Sequence, residues 1–348
     1  MKLKKSLAIA LSLILIMTLF TACGGGGGGA AADYSADNPI VFRLASDAPI
    51  EHMSTTLNNE LVDLVKEKTE GRVQIEYYPA SQLGSYETVY EEVMLGAIDA
   101  AQITVPDSSD ARLGAAYLPY YATGFEDGKK LYGTDSYMVS VMKEICATQN
   151  VNFVGFVCEG FIGMGVAKDP KAVFEPGVAK GIALRSPAMA TFRQVQEDLG
   201  YTPTTIVYAE VPTALQTGVV DGWIGGTANM NYSWVGEIIN KFYYNYLHLE
   251  ATAYVVSEQS LDKLTDADRE IVLGCFEQMS NKSFDVAEEN EAKYRQKLAD
   301  DYGVEVVVFD QEQLDTAVKF VRETTWPKLE ELLTPELMDG FRKEVGMK

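Results

Sequence analysis

Histidine, cysteine and positive charge are all scarce in this 348-residue sequence. Lys and Arg total 29 against 50 Asp and Glu, so the formal net charge is −21. A surface of that charge repels nucleic-acid phosphates and anionic lipid headgroups, and we therefore expect no nucleic-acid partner. Four cysteines are too few for a disulfide scaffold in a chain of this length, and two histidines exclude a dedicated His-rich metal site.

Catalytic and cofactor motifs are missing as well. The sequence has no G-x-S-x-G, no P-loop, no H-E-x-x-H and no Cys-x-x-Cys. Gly163-Met164-Gly165 lacks the third glycine of a dinucleotide fingerprint. We therefore expect no cofactor and no bound metal, and we favour binding over catalysis. A secreted glycan hydrolase with paired acids stays open as an alternative, because carboxylates are plentiful.

An export signal is the first feature that the sequence does contain. Three lysines precede an uncharged run from Ser6 to Phe20, which is shorter than the roughly 20 apolar residues that span a bilayer. The segment from Leu19 to Cys23 resembles a bacterial lipobox, which implies cleavage before Cys23 and a lipid on that residue. Gly24 to Gly29 then predict a flexible tether. We expect a protein anchored by lipid outside the cytoplasmic membrane, on the periplasmic side or at the cell surface.

Three further cysteines remain after that processing: Cys146, Cys158 and Cys275. Their number is odd, so at least one thiol is unpaired. We predict buried structural thiols, with a single disulfide as the open alternative.

The body of the chain alternates predicted strands and helices. A strand at Ile40–Ala45 precedes a helix at Ser54–Glu70, and a strand at Ile182–Arg185 precedes a helix at Thr191–Leu199. This alternation predicts α/β sheets with largely parallel strands, whose ligands lie beyond the carboxyl ends of the strands. The length exceeds what one hydrophobic core usually supports, so we expect two lobes.

The stretch from Thr265 to Asp301 breaks this alternation. It has no proline and only one glycine, Gly274. A continuous helix there would be about 55 Å long at ~1.5 Å per residue, and it would have to lie along both lobes. A pair of helices broken at Asn281 is the alternative.

Two long segments resemble the solute receptors of tripartite ATP-independent periplasmic (TRAP) transporters, the DctP-like family. Phe42 to Thr104 contains E-K-T-E-G-R at the end of a helix, then Y-P, S-Q-L-G and L-G-A-I-D. Lys180 to Gly226 contains G-x-x-x-R-x-P, A-E-V-x-T-A-L-Q and G-V-V-D-G. The resemblance implies a two-lobed periplasmic-binding-protein-like α/β fold, with hinge strands and one long helix that spans both lobes. It also implies a receptor rather than an enzyme.

The resemblance also implies a division of the chain. Residues 1–22 are the signal peptide, and residues 23–36 carry the lipidated Cys23 and the Gly-rich tether. The lobes are assigned as follows: 37–159 plus 251–289 for lobe I, and 160–250 plus 290–348 for lobe II.

Arg185 matches the family's carboxylate-binding arginine. A guanidinium presents a planar fork of donors that fits a carboxylate, and it stays charged at any ordinary pH. The alternative is a structural ion pair, which is plausible in so acidic a chain. The resemblance and the position before Ser186-Pro187 favour the ligand site.

Further candidates follow from the same resemblance. They are Tyr208, Tyr86, Thr104 and Asp47. For the two tyrosines, core packing is the alternative. Gly225 stands where many relatives have a ligand-contacting Asn, and Trp223 is expected to add an apolar or stacking wall.

These departures, together with the lack of a second arginine in residues 159–165, argue against a highly hydroxylated ligand. We expect a smaller or more apolar organic acid, bound by a monomer and delivered to TRAP membrane subunits. Two alternatives remain. One is a receptor that serves an ATP-driven importer or a sensor, and the other is a structural surface lipoprotein.

Overall fold

The computed structural model describes residues 34–347. The predicted signal peptide, the lipid on Cys23 and most of the predicted tether lie outside these residues. Within them, nine strands form one mixed sheet in the order β2-β1-β3-β8-β4-β7-β5-β6, with β9 beside β8. The strands are β1 (Ile40–Ser46), β2 (Val73–Tyr78), β3 (Ala100–Ile103), β4 (Val151–Val166), β5 (Ala183–Ser186), β6 (Thr202–Thr205), β7 (Gly222–Gly226), β8 (Lys241–Ser257) and β9 (Glu305–Val308).

Strands β4 and β8 run the length of the sheet and join its two halves. The first half of β4 pairs with the end of β8, which also pairs with β3; the second half of β4 pairs with β7 and with the start of β8. These two strands are the hinge strands of a two-lobed fold. They are antiparallel because the chain crosses between the halves once in each direction.

The expectation of largely parallel strands holds for five of the eight strand pairs among residues 34–347. The pairs β1–β2, β1–β3, β5–β6, β5–β7 and β8–β9 are parallel. The pairs that involve β4, and the pair β3–β8, are antiparallel.

Helices cover the two faces of this sheet. They are α1 (Met53–Lys68), α2 (Tyr86–Met94), α3 (Phe125–Tyr132), α4 (Tyr137–Ala147), α5 (Ala190–Leu199), α6 (Val211–Gln216), α7 (Ala228–Met230), α8 (Glu258–Leu261), α9 (Asp266–Tyr302), α10 (Gln311–Thr324), α11 (Trp326–Leu333) and α12 (Pro335–Glu344). Among residues 34–347, no helix is both long enough and apolar enough to cross a membrane.

Helix α9 is the predicted long helix, and it is unbroken at Asn281. Its 37 residues correspond to about 55 Å. The side chain of Thr265 accepts from the backbone N–H of Asp268 and starts the helix. Helix α9 packs on α1 at one end and on β9 at the other, so it spans both lobes. Near its middle it approaches β4 so closely that a side chain larger than hydrogen at Gly160 (φ +123°) would collide with Glu291.

The C-terminal helices reach back towards the first half of the sheet. The indole N–H of Trp326 donates to the carbonyl of Pro119, and Arg322 donates to that of Tyr120. The ring of Phe341 packs on Tyr121. Residues of the range assigned to lobe II thus contact residues of the range assigned to lobe I, and the boundaries of the two lobes stay a prediction.

The three cysteines of the described chain are free and buried. Cys158 lies in β4 and Cys275 in α9, where burial raises the pKa of both thiols. These residues are apolar packing groups, in line with the prediction of buried structural thiols.

Candidate functional site

A cavity lies where the two halves of the sheet meet. Its empty volume is about 560 Å³, including the part that opens to solvent, which is within the range of small-molecule sites. Six residues named from the sequence line it: Asp47, Tyr86, Thr104, Arg185, Tyr208 and Gly225. They lie in or after strands of both halves of the sheet, and the crossing strands β4 and β8 contribute Glu159, Glu250 and Thr252.

Arg185 sits near the carboxyl end of β5 and is only 3% exposed. Its Nε donates to the carbonyl oxygen of Ile206 at 2.9 Å, and its Nη1 donates to that of Ile224 at 3.2 Å. Among residues 34–347 no carboxylate lies within salt-bridge distance of this guanidinium. Neutral backbone acceptors therefore hold the group in place, and donors remain for a ligand in the cavity.

Burial acts on the charge of Arg185 as well. It lowers the pKa of the guanidinium to about 10, and nearby Tyr86, Tyr208 and Glu250 partly oppose this effect. The group is still charged at neutral pH. A buried cation without an anionic partner is costly, which makes an incoming anion favourable.

Gly225 makes room for that guanidinium. A Cβ at this position would lie 2.6 Å from Nη1 of Arg185, and the backbone φ of +131° is one that side-chain-bearing residues rarely adopt. The pairing of β4 with β7 shifts register here, so that Gly225 has no partner in β4. Gly225 is thus the extra residue of a bulge, which turns it towards the cavity.

The wall beside Arg185 is aromatic. The ring centroid of Tyr208 lies 6.0 Å from the guanidinium carbon and 4.1 Å from the ring of Trp234. Met189, Phe192 and Met230 add apolar surface to the same cavity. A ligand with an apolar part can pack here.

Another part of the cavity lining is acidic. The hydroxyl of Tyr117 donates to Oε1 of Glu250 at 2.7 Å, and its oxygen lies 3.1 Å from the hydroxyl of Thr104. Glu250 is 6% exposed, and burial, followed by repulsion from Glu159, raises the pKa of its carboxyl group well above the usual value. For the same two reasons the pKa of Asp47 rises to about 7.

Glu159 is the third carboxylate, and protein donors already surround it. The pairing of β4 with β8 shifts register between Cys158 and Gly160, so Glu159 occupies a bulge. Its Oε1 accepts from Ser54 at 2.7 Å, from Gln102 at 2.9 Å and from Thr252 at 3.0 Å. These bonds tie the crossing strands to α1 and β3.

Both histidines are buried close to this site but carry no charge there. Burial lowers the pKa of His52, although neighbouring Glu159 opposes it, and lowers the pKa of His248 to about 3. Within residues 34–347, no group of three or more His, Cys, Asp or Glu is placed to hold a metal ion.

Comparison with known proteins decides the family. The profile of "Bacterial extracellular solute-binding protein, family 7", the DctP family, matches residues 45–330. This chain belongs to that family.

Relatives and solved structures agree with the assignment. The chain is 24% identical over 230 residues to the sialic acid-binding periplasmic protein SiaP of Vibrio cholerae, covering 66% of this chain and 70% of that one. It is 28% identical over 184 residues to the C4-dicarboxylate-binding periplasmic protein DctP of Rhodobacter capsulatus, covering 51% and 52%.

The fold is that of TRAP periplasmic solute-binding proteins. The structure from Haemophilus influenzae with bound L-gulonate superposes with a TM-score of 0.78 at 18% identity, over 89% of this chain and all 100% of that chain. The structure from Shewanella oneidensis with bound succinate gives 0.78 at 15% identity, over 88% and 99%. These matches confirm the two-lobed fold that the sequence predicts for this chain.

Trp223 is the one predicted site residue of this DctP-family protein that does not line the cavity. It is fully buried, and its indole N–H donates to Oδ1 of Asn231 at 2.9 Å. Its ring contacts Trp234, which in turn contacts Tyr208. The bulge at Gly225 explains the difference, since it interrupts the alternation that would place Trp223 and Gly225 on one face.

Sequence reasoning missed the acidic side of the solute site. Glu159, Glu250 and Tyr117 lie in apolar surroundings far apart in the chain, and only the pairing of the crossing strands brings them together. A charged residue inside a long apolar run, such as Glu250 in LHLEATAYVV, is the signal that could have found one of them.

Proposed function

We propose that this protein is the solute receptor of a TRAP transporter. It captures a small organic acid between its lobes, with Arg185 binding the carboxylate, and delivers it to the membrane subunits of the transporter. The observation that carries the proposal is the buried guanidinium, which faces an interlobe cavity and is held by two carbonyls instead of an acid.

The arrangement supports ligand-dependent closure. Arg185, Tyr208 and Gly225 belong to one half of the sheet, whereas Asp47 and Thr104 follow strands of the other half. A ligand that touches both sets binds best when the halves are close, and it therefore favours the closed form. Movement about the two crossing strands and bending of α9 are the changes required.

The assignment of lobes is part of this proposal. We assign 37–159 plus 251–289 to lobe I and 160–250 plus 290–348 to lobe II, with the middle of β4 and of β8 as the hinge. The position of Glu159 and Glu250 in that middle fits this division, because both line the cavity from the crossing strands.

Location outside the cytoplasmic membrane and anchoring by lipid also belong to the proposal. The signal-like residues 1–22, Cys23 and the glycine run support it. Replacing Cys23 by Ala in the native host should move the protein from the membrane fraction to the soluble extracytoplasmic fraction and abolish incorporation of labelled palmitate. Unchanged fractionation would reject the lipid anchor and leave the receptor function standing.

The receptor function is tested by ligand binding. Native mass spectrometry of the purified protein, followed by thermal-shift and calorimetric titration of a panel of organic acids, should show a one-to-one complex that raises the melting temperature. The mass of the intact species in native mass spectrometry also tests the expected monomeric state.

The matched variants are Arg185→Met and Arg193→Met. Arg193 is an exposed arginine on α5, the helix that follows the Arg185 strand. The first change should lower affinity at least about 10-fold, as expected for loss of a charge-assisted hydrogen bond, and the second should have no effect. Equal affinity of Arg185→Met and the unaltered protein, or turnover of a ligand, would reject the proposal.

A further inference from the structure

The solute cavity contains more carboxyl groups than basic side chains. Asp47, Glu159 and Glu250 line it, and Arg185 is the one Lys or Arg among the described lining residues. The two nearby histidines are neutral, because burial lowers the pKa of both. The pKa values of Asp47 and Glu250 are raised because both groups are buried near Glu159 without a cationic partner of their own. A ligand with only negative charge would pair with Arg185 but would give these carboxyl groups no such partner. Buried charge without a partner is costly.

Protein donors satisfy only part of these carboxylates. Oε1 of Glu159 accepts three hydrogen bonds, and Oε1 of Glu250 accepts one from Tyr117. Within residues 34–347, no side chain donates to Oε2 of Glu250 or to the carboxylate of Asp47. Both groups line the cavity, so they present unused acceptors to a ligand.

Thr104 adds to this acceptor surface. The hydroxyl of Tyr117 donates to Oε1 of Glu250. The hydroxyl oxygen of Thr104 lies 3.1 Å from that of Tyr117 and lines the cavity, where it can accept a hydrogen bond from a ligand. The site therefore offers donors from Arg185 and acceptors from Asp47, Glu250 and Thr104.

The remaining walls are apolar. Pro187, Met189, Phe192 and Met230 form part of them. They give few partners to a ring of hydroxyl groups, and a buried hydroxyl without a partner weakens binding. The ligand that fits has two polar groups, one for Arg185 and one for the carboxyl groups, and an apolar body.

We propose that the captured acid is a zwitterion, a small carboxylate that also carries a protonated nitrogen. The carboxylate pairs with Arg185, and the nitrogen donates to Glu250 and Asp47. This inference rests on the proposed receptor function and names the class of solute.

Two matched series of acids test it at pH 8. One is L-leucine, its 2-hydroxy analogue and 4-methylpentanoate; the other is 4-aminobutyrate, 4-hydroxybutyrate and butyrate. In the series that binds, the amino compound should bind about 10- to 150-fold more tightly than the other two members, as expected of one charge-assisted hydrogen bond. Succinate, with two negative charges, should bind more weakly than the amino compound.

Variants separate this inference from the function on which it rests. Asp47→Asn and Glu250→Gln should each weaken the amino compound about 10-fold or more while leaving the plain acid unchanged or tighter. Arg185→Met should weaken every member. Either acid variant is sufficient if the other fails to fold, as judged by its melting curve.

The outcomes are distinct. If the plain or hydroxy acid, or succinate, binds as tightly as the amino compound and depends on Arg185, the zwitterion inference is wrong and the receptor function stands. Tight binding of a plain acid that requires added Ca²⁺ and is lost in EDTA would also overturn the inference, since the metal would then supply the positive charge. If no acid of either series or of the wider panel binds, both proposals fail.

Discussion

Gly225 offers a sharp test of how the site is built. Replacing it by Ala would place a Cβ 2.6 Å from Nη1 of Arg185, well inside van der Waals contact. The guanidinium cannot shift without losing the hydrogen bond from Nη1 to Ile224, because Nε is fixed on Ile206. We therefore expect Gly225→Ala to misplace the arginine.

The magnitude follows from the contacts. Loss of one charge-assisted hydrogen bond between Arg185 and the ligand corresponds to roughly 1.5–3 kcal/mol, or about 10- to 150-fold in the dissociation constant. The positive φ of +131° adds a stability cost of about 1–3 kcal/mol to the alanine variant.

Gly218 provides the control. It also has a positive φ, +71°, but a Cβ there would meet nothing within 4 Å. Gly218→Ala should lower the melting temperature, as Gly225→Ala does, and leave ligand affinity unchanged. Calorimetric titration with the tightest organic acid measures the difference. Equal affinities of the two variants would refute the argument that Gly225 positions the guanidinium.

Three further outcomes concern the surroundings of the site. Burial raises the pKa of Glu291 to about 8, above the 4.5 of an ordinary Glu. The folded protein therefore binds this proton more tightly than the unfolded chain does. The resulting stability is fully present below pH 4.5 and is lost as the pH rises through 8. The melting temperature of Glu291→Gln minus that of the unaltered protein should thus be larger at pH 9 than at pH 5; a difference that does not change with pH would contradict this. Trp223→Phe removes the N–H that donates to buried Asn231. It should lower the free energy of unfolding in urea by about 1–3 kcal/mol and leave ligand affinity unchanged. A loss of affinity without a loss of stability would place Trp223 in the site after all. Gly160→Ala should destabilise the protein by more than Gly218→Ala, because it collides with Glu291, and equal melting curves would show that α9 can move away.

The sequence predicts the flanks of this fold better than its centre. The strand from Ile40 and the helix after it are found within two residues of their predicted bounds, since their apolar periodicity is regular. Strand β8 was not predicted at all, although it is among the longest elements. Its residues 247–257 are buried on both faces, so no alternation of apolar and polar residues marks it.

Strand β4 shows the opposite difficulty. It runs without interruption to Val166, although its second half contains several glycines. Glycine usually weakens a strand, yet each of these allows a neighbour to come close: Gly160 faces Glu291, Gly163 faces Phe242 and Gly165 faces Asn231. Glycine signals a turn in a sequence pattern, and only the packing shows that it marks a close approach.

The same contrast holds for the candidate site. The family resemblance identified Arg185 and the residues around it, because they lie in motifs at strand ends. It did not identify Glu250 or Tyr117, whose contact joins residues 133 positions apart. The prediction of a small or apolar acid remains a prediction, and the acidic side of the cavity is the new constraint on it.

A crystal structure of the protein with its tightest organic acid tests the central claim most directly. The account predicts a ligand carboxylate oxygen about 2.7–2.9 Å from a terminal nitrogen of Arg185, inside the cavity between the lobes. A carboxylate bound elsewhere, with the guanidinium still held only by Ile206 and Ile224, would contradict it.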